Sequence, residues 1–122
     1  MFQLNMEEGW QDVPATSGIR QKPLSGDFDE VAGKGFRTRC IRIEPGGETF
    51  EALEHAYWEE VFIVEGSLTR KADNATFAAP AYVLRPPRTA HGPFVSSTGC
   101  LMLETQYFAS RTPGDATYLD DA

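Results

Sequence analysis

The sequence predicts an all-β domain in which short strands close into a sandwich or a barrel. Short alternating or continuous apolar runs recur along the 122 residues, and no amphipathic pattern extends beyond one or two helical turns. The 11 glycines and 8 prolines interrupt these runs at short intervals. Strands that follow one another without intervening helices form a sandwich or a barrel, so one of these two architectures is expected.

Length and charge limit the classes of partner. A hydrophobic content of 41% is sufficient for the core of one domain, and no apolar run reaches the roughly 18 residues of a membrane-spanning helix. The net charge of −7 argues against nucleic acid and anionic membrane as partners, because binding to phosphate needs clustered cations. The acidic start of the chain lacks the basic-then-apolar order of a signal peptide, so we expect a cytoplasmic protein.

Three segments are expected along the chain. Residues 1–22 are polar and contain Trp10, which predicts an N-terminal arm that this tryptophan anchors on the barrel or on a second subunit. Residues 23–108 contain the strands of the barrel. Residues 109–122 are polar and contain a proline, which predicts an irregular C-terminal tail.

The first clear strand is predicted over residues 36–44. Its first half alternates, which is typical of a half-buried strand. Arg37, Arg39 and Arg42 form a dense basic group, and charged residues of this kind are expected on a solvated strand face. The alternation then slips at Ile41 and Ile43, which indicates a bulge or a strand covered on both faces. A turn at Glu44-Pro45-Gly46-Gly47 and a second strand over residues 48–53 should follow.

The third strand is predicted over residues 59–64. Both of its faces are largely apolar, so the barrel interior should cover one face and the arm or a second subunit the other. Glu65-Gly66 and Asp73-Asn74 predict turns on either side of a strand over residues 67–71. Further strands are predicted over residues 81–85, 94–95 and 100–108. The two cysteines, Cys40 and Cys100, are expected to be buried and unreactive, with a disulfide or a metal role as the alternative.

Two stretches contain the chain's two histidines. In the first, three residues separate His55 from Glu59, and six separate Glu59 from Gly66. In the second, Pro86 precedes His91 by five residues. These spacings resemble the two conserved motifs of the cupin superfamily, whose fold is the RmlC-like jelly roll, a double-stranded β-helix. Glu60 would match only one of the two gaps, so Glu59 is the predicted counterpart of the motif's glutamate.

A narrower resemblance is to small bacterial ChrR-type single-domain cupins, related to a zinc-binding anti-sigma factor. It covers most of residues 10–108. The stretches that carry it are Trp58-Glu59-Glu60-Val61, Tyr82-Val83-Leu84-Arg85-Pro86-Pro87, His91-Gly92-Pro93 and Gly99-Cys100-Leu101-Met102-Leu103. Cupins of this type usually have three histidines and one glutamate as metal ligands, and the position of the first histidine is Leu53 in this chain.

The resemblance implies a metal site formed by His55, Glu59 and His91. Two imidazoles and a carboxylate can occupy one face of an octahedron around Fe(II), or bind zinc together with a water molecule. Nickel and manganese are further candidates, and an empty or partly filled site is an alternative because three ligands bind more weakly than four. Four residues are expected to line the pocket, the last two as polar partners or as a replacement ligand: Leu53, Tyr57, Glu104 and Gln106.

Three functions are compatible with such a barrel. The first is a metal-dependent, dioxygenase-like enzyme that acts on a small organic molecule. The second is a non-catalytic sensor that binds metal or ligand, like the anti-sigma-factor cupins. The third is a metal-free barrel that binds a small molecule, or an isomerase-like enzyme with histidine and glutamate as acid and base. Cupin barrels commonly pair through their sheets, so the resemblance implies a homodimer, and the apolar third strand is consistent with one.

Overall fold

The computed structural model describes residues 1–110, which form β-strands and connecting segments without an α-helix. The predicted all-β architecture is confirmed, with its strands joined in one sheet. No helix in the described part of the chain is both long and apolar enough to span a membrane. The strands, numbered in chain order, are β1 (Gln11–Asp12), β2 (Thr16–Asp29), β3 (Lys34–Thr49), β4 (Trp58–Arg70), β5 (Ala75–Ala78), β6 (Ala81–Arg85), β7 (Phe94–Val95) and β8 (Cys100–Tyr107).

All strand pairings are antiparallel. The main path through the sheet runs β1-β2-β3-β7-β4-β5, while β6 pairs with β4. Strand β8 hydrogen-bonds to β3 on one side and to β4 on the other, and this joins the two long strands. Side chains at matched positions on β3, β8, β4 and β6 therefore form rows across the inner wall of the barrel.

Strand β2 was not predicted. It crosses the boundary expected between the arm and the barrel at residue 22, and it pairs with β3 along most of its length. More than half of its residues are polar and only Ile19 is fully buried, so it lacks the apolar alternation by which strands are recognised. Ahead of β2, the Arg42 guanidinium lies 4.5 Å from the centre of the Trp10 ring, which gives the predicted anchor a contact on β3.

The predicted turn at residues 44–47 is wrong, because β3 continues through it to Thr49. These four residues bulge out between two matched pairs, Ile19 with Ile43 and Ser17 with Glu48. Gly46 adopts a φ of +85°, which glycine tolerates best. The strand predicted over residues 48–53 accordingly ends at residue 49.

Strand β4 likewise continues through the turn predicted at Glu65-Gly66. Its pairing with β8 shifts between Ile63 and Glu65, so a bulge replaces the turn. A side chain at Gly66 would collide with the carbonyl oxygen of Gly99 on the approach to β8. The turn at Asp73-Asn74 and the strand limits predicted for β6 and β7 are confirmed, and β8 ends one residue earlier than predicted.

The apolar core lies inside the barrel. One row across the wall consists of Ile41, Met102, Ile63 and Ala81 on β3, β8, β4 and β6. Cys40 and Cys100 are buried free thiols, as predicted, and burial raises the pKa of Cys100 to about 11. The predicted tail falls largely on residues 111–122, which lie outside the described residues.

The faces of two strands differ from the prediction. Arg37 and Arg39, expected on a solvated face, share the inward face of β3 with Ile41 and Ile43, so the alternation of β3 does not slip. On β4 the inner face is buried as predicted. On the outer face, however, Phe62 is 42% exposed and Val64 is 46% exposed, so neither the arm nor another element within residues 1–110 covers them fully.

Candidate metal centre

Three potential metal-binding side chains converge inside the barrel. One nitrogen of His55, one of His91 and a carboxylate oxygen of Glu59 all lie within 4.8 Å of one another. Glu59 and His91 are buried, and His55 is partly buried. Within residues 1–110, these three side chains are the group placed closely enough to hold a metal ion. Glu104, the predicted replacement ligand, is not part of this group.

Strand register positions Glu59. On β4 it lies directly opposite Arg85 of β6 on one side and Gln106 of β8 on the other. Arg85 donates a hydrogen bond to Glu59 Oε1 at 2.7 Å, and Gln106 Nε2 donates one to Oε2 at 2.6 Å. The carboxylate is thereby fixed on the inner wall, whereas the neighbouring Glu60 lies on the outer face and accepts hydrogen bonds from Tyr82 and Tyr107.

The backbone of Leu53, the residue at the position of the first cupin histidine, holds His91 in place. Leu53 and His91 form a two-hydrogen-bond bridge, with N···O distances of 2.8 and 2.9 Å. His91 Nδ1 lies 3.3 Å from the carbonyl oxygen of Thr89, which favours a proton on that nitrogen. Nε2 is then an acceptor, 3.8 Å from Glu59 Oε1 and available to a metal ion.

An aromatic wall supports His55. Its ring stacks on Tyr57, with centroids 4.6 Å apart and planes inclined by 10°. Tyr57 in turn makes an edge contact with Phe28, which stacks on Phe108. The contributions of Phe28 and Phe108 were not predicted, since one lies in the missed strand β2 and the other follows β8.

The electrostatics of His55, Glu59 and His91, called the trio from here on, suit metal binding. Burial lowers the pKa of His55 and His91, and Arg85 lowers that of His91 further against the opposing effect of Glu59, so both rings are neutral near pH 7. Burial opposes ionisation of Glu59, but Arg85, His91, Gln106 and His55 outweigh it and lower the pKa of this carboxyl. Two neutral imidazoles and a carboxylate are the forms that bind a metal ion.

A second pair of charged residues lies one row further into the barrel. Arg39 is opposite Glu104, with which it forms an ion pair at 2.7 Å, and it donates a hydrogen bond to Gln21 at 2.5 Å. Burial and the nearby Glu59 raise the pKa of Glu104 to about 7, although Arg39 opposes this. The inward position of Arg39 could not be read from the sequence, because alternation separates two faces without identifying the inner one.

A cavity of about 650 Å³ connects these groups, within the size range of small-molecule sites. The trio and all four predicted pocket residues line it, and Leu53 is 45% exposed. Its apolar part is lined by residues of several strands, among them Ile19, Ile41, Ile43, Val61, Leu68 and Met102. The cavity therefore combines a polar region around the trio with an apolar region.

The trio fits a metal ion by its donor set. Donor atoms around one zinc ion lie roughly 3.4 Å apart, so donors that now lie within 4.8 Å of one another would have to approach by up to roughly 1.4 Å on binding. Rotation of the partly buried His55 ring could supply part of this movement. Glu59 has further lone pairs besides those that accept from Arg85 and Gln106, so these hydrogen bonds do not prevent coordination.

Several solved structures share this fold, which confirms the predicted cupin jelly roll. An acetylacetone dioxygenase from Acinetobacter johnsonii is 18% identical with a TM-score of 0.69, and the match covers 88% of this chain and 72% of that chain. An RmlC-like cupin from Shewanella frigidimarina is 20% identical with a TM-score of 0.66, covering 90% and 92%. The complex of Rhodobacter sphaeroides SigE with the anti-sigma factor ChrR contains a chain that is 17% identical, with a TM-score of 0.61 and coverage of 83% and 50%.

At these identities the similarity establishes the fold alone. No curated protein sequence is significantly similar to the chain. The sequence model described as ChrR Cupin-like domain matches residues 4–109. Because this match spans nearly the whole chain, the protein belongs to the ChrR cupin-like domain family.

Proposed function

We propose that this cupin binds a divalent transition metal through His55, Glu59 and His91 and acts as an oxygenase-like enzyme on a small organic molecule. The observation that carries the proposal is the convergence of these three side chains within 4.8 Å on the wall of a cavity of about 650 Å³. The acetylacetone dioxygenase among the structural neighbours makes dioxygenation the leading candidate chemistry. Fe(II) and zinc are the leading metals, followed by nickel and manganese.

Each residue of the site has a separate task in this proposal. The two histidines and Glu59 would hold the metal, which when bound would polarise an oxygen atom of the substrate and activate dioxygen. Arg85 and Gln106 orient Glu59 through its two oxygens, and Thr89 orients the ring of His91. The apolar residues of the cavity exclude water, and Leu53 at its wall adds apolar surface where a fourth ligand would otherwise lie.

Metal analysis of matched variants tests the site. The protein would be prepared without chelator or affinity-tag metal, at several supplies of iron, zinc, nickel and manganese. We expect His91→Ala and Glu59→Gln to lower metal affinity at least about 100-fold, since loss of a ligand should exceed the cost of losing a supporting contact. Glu60→Gln, one residue away on the outer face, should retain wild-type metal content. Full retention of metal in His91→Ala would place the site elsewhere.

Oxygen uptake tests the reaction. Metal-loaded protein would be mixed with 1,3-diketones, thiols and phenols in turn, and oxygen consumption would be compared with that of His91→Ala. We expect uptake with at least one class and none in the variant. Metal binding without any uptake would favour the sensor function, which the family match and the neighbouring ChrR–SigE complex also support.

A metal-free function is favoured by a different observation. Arg85 and Gln106 already provide a hydrogen-bond partner for each oxygen of Glu59, so this carboxylate is paired without a metal ion. A barrel of this kind would bind a small molecule, or use histidine and glutamate as acid and base. Activity or ligand binding that survives complete chelation would identify this function.

We also propose that two copies pair through the outer face of β4. Leu103, Phe62 and Tyr82 lie side by side across β8, β4 and β6, and all three are exposed in the single chain. Together with Val64 they form an apolar surface that a second copy would cover. Sedimentation at micromolar concentration should give a dimer that Phe62→Glu converts to a monomer. A wild-type monomer of 13.5 kDa would contradict the proposal.

A further inference from the structure

Three guanidinium groups and two buried carboxylates line the polar part of the cavity. Arg85 is paired with Glu59, and Arg39 with Glu104, at 2.7 Å in each case. Arg37 is the third cation. Among these buried and partly buried side chains, positive charges therefore exceed negative ones by one before any metal ion is added, and a bound divalent ion would increase this excess.

Arg37 is held in place by uncharged groups. Its Nε donates to Gln106 Oε1 at 2.5 Å, and its guanidinium carbon lies 4.8 Å from the centre of the Phe28 ring. Within residues 1–110, no carboxylate lies within ion-pair distance of it. The Nε hydrogen bond and the ring fix the plane of the guanidinium, and its two terminal amino groups are the donors best suited to a carboxylate.

The position of Arg37 connects it to the candidate metal centre. On β3 it lies opposite Gln106, which lies opposite Glu59, so a single amide links the guanidinium to the carboxylate of the trio. Along the same inward face of β3, Ile41 and Ile43 follow at two-residue steps and lead into the apolar part of the cavity. A ligand with an anionic head at Arg37 would have apolar walls available for its remaining part.

We propose that the cavity binds a small monocarboxylate with a short apolar chain, and that Arg37 is the residue that pairs with its carboxylate. This inference supplies the ligand class for the proposed function, yet it depends on the arginine and not on the metal. Glu30 and Glu51 at the cavity wall oppose an anion, but both are exposed and water screens their charge.

Calorimetric titration of chelator-treated protein with hexanoate and hexanamide tests the inference, because the two probes share a chain and differ in head-group charge. We expect wild-type protein to bind hexanoate at least tenfold more tightly than hexanamide. Arg37→Gln should remove this preference by weakening hexanoate alone. Arg42→Gln, a change on the outer face of the same strand, should preserve it. Shortening hexanoate to butanoate should weaken binding on the order of threefold per methylene group.

Further measurements keep the test independent of folding and of the metal site. Arg37→Lys retains the charge but not the two-pronged donor geometry, so it should keep part of the preference, and circular dichroism should match wild type. Equal affinity for hexanoate and hexanamide in wild type, or an unchanged preference in Arg37→Gln, would overturn the inference. Either result with normal metal loading would leave the proposed function intact, whereas anion binding without metal loading would support the inference and contradict that function.

Discussion

The same four strands, β3, β8, β4 and β6, build two contrasting rows inside the barrel. One row consists of Arg37, Gln106, Glu59 and Arg85, and the other of Ile41, Met102, Ile63 and Ala81. Both rows are largely buried, but only the apolar row gains stability directly from burial. Buried ion pairs repay their desolvation poorly, so the polar row is better explained by ligand chemistry than by stability.

The largest expected effect comes from breaking the polar row at its centre. Glu59→Ala removes the carboxylate that offsets the buried charge of Arg85, so we expect metal-free protein to lose about 3–5 kcal/mol of unfolding free energy. Urea denaturation measures this loss. Glu44→Ala, which breaks the exposed pair with Arg20, is the control and should cost less than about 1 kcal/mol. Equal losses would mean that the buried pair has no special role.

A similar but slightly smaller effect is expected from the apolar row. Ile63→Ala leaves a cavity in the core and should cost about 3 kcal/mol, with metal content per folded molecule unchanged. Val64→Ala, the adjacent change on the outer face, should cost less than about 1 kcal/mol in monomeric protein. A large loss of metal in folded Ile63→Ala would show that the two rows are not separable.

A third effect depends on pH. Because the pKa of Glu104 is raised to about 7, the folded protein takes up a proton there between about pH 4.5 and 7 that the unfolded chain does not. The contribution of Glu104 to stability therefore falls as pH rises through that range. The two histidines act in the opposite direction: because their pKa values are lowered in the folded protein, their contribution to stability increases as pH rises toward the unfolded value of 6.5.

Glu104→Gln removes only the first of these contributions. In metal-free protein, we expect its stability relative to wild type to improve by roughly 2 kcal/mol between pH 5 and 7. Urea denaturation at the two pH values, with Glu44→Gln as the control, gives this difference. No change between the pH values would mean that Glu104 is ionised throughout.

The smallest effect is expected from a supporting amide. Gln106 is only 1% exposed and donates to Glu59 while accepting from Arg37. Gln106→Leu should therefore weaken metal binding about tenfold without removing a ligand. Gln21→Leu, which breaks a hydrogen bond to Arg39 away from the trio, should leave metal affinity unchanged. An equal effect in both variants would indicate a general disturbance of the barrel.

The apolar strands and the motif residues could be predicted from the sequence. The continuous apolar run from Cys100 gave β8 to within one residue, and the spacing of His55, Glu59 and His91 led to the cupin resemblance, which the family match confirms. Strand β2 escaped detection because its backbone pairing, rather than an apolar face, holds it in the sheet. Glycines that support bulges at positions 46 and 66 were misread as turns.

The polar interior of the barrel was predicted less well than the apolar strands. Alternation on β3 was visible, but a charged residue is normally assigned to solvent, and this placed Arg37 and Arg39 on the wrong face. The partners that allow their burial, Gln106 and Glu104, lie more than sixty residues away on β8. Such pairings become apparent only when strand register is known.

An anomalous-scattering map from crystals grown with manganese, iron or zinc tests the central claim most directly. We expect one strong peak inside the barrel, about 2.0–2.2 Å from a nitrogen of His55, a nitrogen of His91 and an oxygen of Glu59. Crystals of His91→Ala grown identically should lack this peak. A featureless map at the trio in fully metal-loaded wild-type crystals, or a peak held by other residues, would contradict the account.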